Sequence, residues 1–90
     1  MGAQLLGGWS VFRSLDSEDK EVFTKAMKGF TGVDYSPIAV ATQVVEGTNF
    51  AFFCNAKGVY PEATVFPAII HIYRNLQNEV GITHIQRLNY

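Results

Sequence analysis

Cysteine is almost missing from this 90-residue chain: Cys54 stands alone, so no internal disulfide can form. That fits a reducing compartment or a fold that needs no staple. Basic clusters are missing too. The seven Lys and Arg residues are scattered and the formal charge is −1, so a nucleic-acid binder's electrostatic footprint is not there. No apolar run approaches the roughly 20 residues that a membrane helix needs, and no membrane partner is expected. The first residues lack a charged segment followed by an apolar one, the pattern of a secretory leader. The expectation is a cytoplasmic chain, with secretion left open should a leader have been removed. Phosphate-binding and dinucleotide-binding glycine motifs are absent. Two histidines and one cysteine lack the short spacing of a zinc set. Neither a metal nor a cofactor is expected.

Apolar material is plentiful. Hydrophobic residues make up 48% of the chain and aromatics 13%, which argues against disorder. Ninety residues suit one domain spanning 1–90, whose core must be economical at this size.

The coarse order is strand, helix, then four strands. Trp9, Val11 and Phe12 suggest a short first strand over 9–15, with Trp9 anchoring it against the helix. Asp16 is a good N-cap, and Glu18 and Asp19 fall in the first turn, where the helix dipole favours them. Val22, Phe23, Ala26, Met27 and Phe30 then repeat at helical spacing, predicting a helix from Ser17 to Lys28, stopped by Gly29 and Gly32. Glu21 and Lys25 form an i,i+4 pair, and the run from Glu18 to Glu21 reads as a solvated face. Three turns of helix are not stable alone and must pack on something.

Sheet supplies that surface. Residues 38–45 are rich in Ile, Val, Ala and Thr, with Pro37 opening the strand. Phe50, Phe52 and Cys54 alternate with more polar neighbours at period two. Glu46-Gly47-Thr48 turns between these strands, and a longer loop follows around Lys57-Gly58 and Pro61. Residues 65–73 form another strand, whose Pro67 implies an edge or a bulge. Asn75 to Gly81 makes a second turn before a last strand over 82–88. The fold class is therefore α+β: a four- to five-stranded antiparallel meander wrapped around a single helix.

One stretch carries functional information. Gln43-Val44-Val45-Glu46-Gly47, continued by Thr48-Asn49-Phe50, reads Gln-x-Val-x-Gly in a hairpin, and Leu5-Leu6-Gly7-Gly8 precedes the helix at the right distance. Together with the meander and helix, these segments resemble the cystatins, tight-binding inhibitors of papain-like cysteine proteases, and among them the disulfide-free stefin branch. The resemblance implies a cystatin-like fold, a papain-like cysteine protease as partner, and a wedge that enters the enzyme cleft. Its contact residues would be Leu5, Leu6, Gly7 and Gly8 on the arm and Gln43, Val44, Val45, Glu46 and Gly47 on the hairpin. Leu6 would fill the apolar specificity pocket and Leu5 the next. Gly7, with Gly8 as the alternative, would turn the chain away from the enzyme's nucleophile. Each buried leucine would contribute about 1.5–3 kcal/mol.

The residues themselves suit that role. Gly47 permits positive φ at the tip, and β-branched Val44 and Val45 stiffen the approach. Gln43 and Asn49 flank the tip and can hydrogen-bond across its base. The second turn departs from many secreted cystatins, which carry Pro-Trp there; here Leu76, Gln77 and Asn78 occupy it, with Leu76 and Val80 as its apolar candidates.

Other readings stay open. A cystatin-like scaffold whose hairpin is merely a good turn would be a binding or assembly module, and exposed sheet edges would let a monomer exchange strands into a domain-swapped dimer. Cys54 falls in phase with Phe50 and Phe52 and is expected to pack against the helix. As a nucleophile it would need a base, and no spacing links it to His71 or His84. No enzymatic activity and no catalytic residue is expected.

Overall fold

The computed structural model describes residues 7–88; Leu5 and Leu6, the expected pocket-filling pair, lie outside them. One helix, α1 (Ser17–Met27), packs on a four-stranded antiparallel sheet of β1 (Val33–Val45), β2 (Gly47–Gly58), β3 (Val65–Arg74) and β4 (Val80–Arg87). The strand order follows the chain, β1-β2-β3-β4, as a meander. This is the expected α+β arrangement.

The core lies between the helix and one sheet face. Val22 and Phe23 of the helix meet Val40, Phe50, Phe52, Cys54, Ile70 and Ile72. Phe23 stands edge-on to Phe52, with ring centroids 5.0 Å apart. The period-two pattern of β2 thus places Phe50, Phe52 and Cys54 toward the helix, as read from sequence. Half-buried Val80, Ile82 and Ile85 close the core along β4.

Bulges shift the register of β1 and β4. Ile70 pairs with Ile85 and Ile72 with Ile82, so a three-residue step on β4 meets a two-residue step on β3. The register shifts between His71 and Ile72, with Thr83 as the extra residue, and both isoleucines of β4 face the core. A second shift between Pro37 and Ala39 sets Ile38 outward, leaving it 51% exposed. Pro37 does not open its strand as expected, because β1 begins at Val33; the proline is tolerated at this bulge. Pro67 lies in an interior strand with no bulge beside it. Its carbonyl accepts from the Leu88 amide, so its missing donor points toward the end of β4, where the ladder has already stopped at Arg87.

The expected first strand is reduced to two bridges, Trp9 with Gln43 and Arg13 with Val40. This arm runs along the outer edge of β1. The amides of Gly7, Ser10 and Arg13 donate to the carbonyls of Val44, Thr42 and Val40 at 2.8–2.9 Å. The Ser10 hydroxyl takes the place of a backbone acceptor for the Thr42 amide, at 2.9 Å. Trp9 does not anchor the arm against the helix. It is 46% exposed and lies beside His71, on the sheet face turned away from the helix.

The helix start holds a further correction. Asp19 is not on a solvated face but 2% exposed. Its amide donates to Asp16 Oδ1 and its Oδ2 accepts from the Asp16 amide, both at 2.9 Å, a reciprocal capping box. Arg13 spans both carboxylate oxygens, with Nη2 to Oδ1 at 3.2 Å. The arm is thereby tied to the helix N-terminus. Lys25 does not pair with Glu21; its Nζ donates to the Asn78 carbonyl at 3.0 Å and fastens the helix to the β3–β4 loop.

Candidate functional site

The register brings one end of the sheet into focus. Val44 pairs with Thr48, Thr48 with Arg74, and Arg74 with Val80. The β1–β2 tip (45–47) and the β3–β4 loop (75–79) therefore project from the same end. The arm joins them, because the Gly7 amide sits 2.9 Å from the Val44 carbonyl. Three segments far apart in sequence form one edge. Gly7, Gly8, Gln43, Val44, Val45, Glu46, Gly47, Leu76, Gln77 and Asn78 all lie on it.

Each segment is held. Gln43 donates from Nε2 to the Gly7 carbonyl at 2.8 Å and accepts at Oε1 from Asn49 Nδ2 at 2.9 Å. The hydrogen bond expected across the hairpin base is thus extended to the arm. Gly7 has φ of 82°, a left-handed turn that lets the chain bend as it meets β1. Gly47 has φ of 100°, and a Cβ there would lie 2.4 Å from the Arg74 carbonyl oxygen and 2.7 Å from Tyr73 Oη. Only glycine permits this close approach. Tyr73 donates its hydroxyl to the Glu46 carbonyl.

The β3–β4 loop is organised by Asn75. Its Oδ1 accepts from the amides of Gln77 and Glu79, each at 2.9 Å, and its Nδ2 donates to Glu79 Oε1 at 2.7 Å. The Asn75 amide donates to the Glu79 carbonyl at 2.9 Å. Leu76, 67% exposed, projects from this braced turn. Val80, the other apolar candidate, packs against the core instead. Tyr73, Asn75 and Arg74 were not singled out by sequence. An asparagine two and four residues before the amides it caps is the signal that could have found Asn75.

The exposed charges near the edge are the carboxylates of Glu46 and Glu79 and the ammonium of Lys25, whose Nζ donates to the Asn78 carbonyl. Arg74 is engaged behind them, 2.7 Å from Glu18 and over the Phe50 ring at 5.1 Å. No group of three or more His, Cys, Asp or Glu residues suited to a metal occurs among the described residues. Cys54 is buried on the helix side, where burial pushes its thiol up to about 12. His71 and His84 lie on the other face of the sheet, so neither can serve that thiol as a base. The edge offers shape, apolar contact and backbone groups. Compared with family models and with curated proteins, the sequence matches none.

Proposed function

We propose that this chain is a reversible, competitive, non-covalent inhibitor of papain-like cysteine proteases, built on a stefin-like cystatin scaffold. The arm and the Gln43–Gly47 hairpin form the main wedge, and the turn at Leu76, Gln77 and Asn78 a minor contact. The observation that carries this reading is the hydrogen bond from Gly7 to Val44, which sets the arm alongside the hairpin tip. A rigid tip loses little conformational entropy on entering a cleft, which converts contact area into affinity. Gly7 turns the backbone where the family's arm bends away from the enzyme's nucleophile. The inhibitor needs no cofactor, and its own thiol takes no part.

The test is inhibition of papain by the wild type and by Gly47→Trp, each checked by circular dichroism for an intact fold. Inhibition in about the nanomolar range, weakened at least about 100-fold by the substitution, is the expected result. A wild type that does not inhibit would overturn the proposal. It would favour a binding or assembly module, a reading supported by the outer edge of β4, which pairs with no strand among the described residues.

A further inference from the structure

On the sheet face turned away from the helix, the rings of His71 and His84 are stacked, with centroids 4.0 Å apart and planes 12° from parallel. The two residues are cross-strand partners on β3 and β4. Trp9 stands nearly perpendicular to His71, at 87° and 6.4 Å between centroids. Its backbone is bridged to β1, yet His71 lies two strands further in. The indole therefore reaches across the row of Ala41 and Ala51, two small side chains that are themselves buried. The histidines and Trp9 line a cleft of about 310 Å³ with Asn49 and Thr83.

One atom in this cluster is unexplained by packing. Nε2 of His71 is buried and has no hydrogen-bond partner. A neutral imidazole tolerates a bare lone pair there. A protonated ring would bury an N–H at Nε2 with no hydrogen-bond partner in place, and a positive charge with it. Around the pair the arm contributes Trp9, β2 contributes Asn49 and Ala51, and β4 contributes Thr83 and Gln86. His84 is the other titratable group of this set, and no carboxylate belongs to it to compensate the charge. Trp9 gives little compensation either, since cation–π attraction is strong only within about 6 Å.

We propose that His71 and His84 form a pH-sensitive clamp on the N-terminal arm: with both rings neutral, Trp9 seats against them and holds the arm on β1, and protonation of His71 displaces the indole and releases the arm. Burial, joined by the nearby His84, lowers the affinity of His71 for a proton, and the neighbouring Gln86 side chain opposes this only in part. Release exposes the ring to water and returns it toward its ordinary value of about 6.5. Docking is therefore at full strength above about pH 6.5 and is lost as pH falls through the docked-state value, by at most about tenfold per pH unit for one proton. The consequence for inhibition rests on the wedge reading; the clamp itself does not.

The free protein suffices for the test. Trp9 is the sole tryptophan, so its emission reports the arm directly. Between about pH 7.5 and about pH 5, the emission should shift to the red. Protection of the Ser10, Arg13 and Val40 amides from hydrogen exchange should fall, with the Phe52 amide unchanged as the core reference. The His71 ring should titrate below about 6.5 by NMR. In His71→Gln the loss of arm protection should disappear. Should that variant not fold, His84→Gln removes a neighbour that lowers the affinity of docked His71 for a proton, narrows the gap between the docked and released rings, and should move the release midpoint to lower pH. Arm protection that is constant with pH, or lost equally in His71→Gln, or a midpoint unmoved in His84→Gln, overturns the clamp. Failure to inhibit papain at any pH would remove the wedge reading and leave the clamp intact.

Discussion

The hydroxyl of Tyr73 donates to the carbonyl of Glu46, joining the strand that leads into the second hairpin to the tip of the first. The Arg74 carbonyl closes against Gly47 one residue further on. The two loops are thus tied to one another. On the proposed reading, such a tie between loops would let a wedge keep more of its contact energy.

Tyr73→Phe tests that tether with the ring left in place. Removing one partly exposed hydrogen bond should lower global stability by about 0.5–1.5 kcal/mol in urea melts. A loosened tip should show mainly as faster dissociation from papain, by up to about tenfold. Unchanged dissociation would mean that the tether does not organise the tip.

Gly47→Ala should do more than an exposed turn substitution usually does. The new methyl group would need positive φ and would meet the Arg74 carbonyl at 2.4 Å. A loss of about 1–3 kcal/mol is expected, with amide shifts spreading to residues 73–75. Gly81→Ala is the matched control, because nothing lies within 4 Å of its Cβ position. Equal stability of the two variants would contradict the close approach at Gly47.

The legible part of this fold was what local pattern controls. Helical spacing located α1 to within a residue of its observed end, and period-two alternation assigned Phe50, Phe52 and Cys54 to the helix side. Bulges were legible only as irregularities: Ile82 and Ile85 look out of phase until the Thr83 insertion realigns them on Ile72 and Ile70. Asp19 was misread because a charge near a helix start usually faces water. Its burial follows from Arg13, six residues upstream, which a helix-only pattern cannot include. Trp9 was misplaced because its partner, His71, comes from a strand 62 positions later in the chain. At the edge, Gln43, Gly47 and Gly7 announced themselves through residue type, whereas Tyr73 and Asn75 act through contacts that only the folded register creates.

Asp19→Asn should weaken the joint between arm and helix. The substitution keeps the shape but removes the charge that faces Arg13 and one acceptor of the capping box. Arg13 is 41% exposed on its side chain, so water softens the loss. A destabilisation of about 1.5–3 kcal/mol is expected as a lower urea midpoint with unchanged slope. Faster exchange of the Arg13 and Val40 amides should accompany it. A change below about 0.5 kcal/mol would show that the ion pair is dispensable.

Cys54 should be inert in the native protein. Burial raises its thiol from an ordinary 9.0 to about 12, so at pH 8 the thiolate is scarce as well as inaccessible. Labelling by an aromatic disulfide reagent should be at least about 100-fold slower than in urea, where the thiol reacts as a free cysteine. The sign of the linked stability follows. Below about pH 9 the thiol is neutral in both states and its contribution is complete. As pH rises from there toward about 12, the unfolded chain ionises first and stability declines. Cys54→Ala should remove that alkaline decline, at the expense of a small cavity beside Phe52, and should leave papain inhibition at its wild-type level. Rapid native labelling, or an inhibition constant that changes in a folded Cys54→Ala variant, would contradict the assignment of this thiol to packing alone.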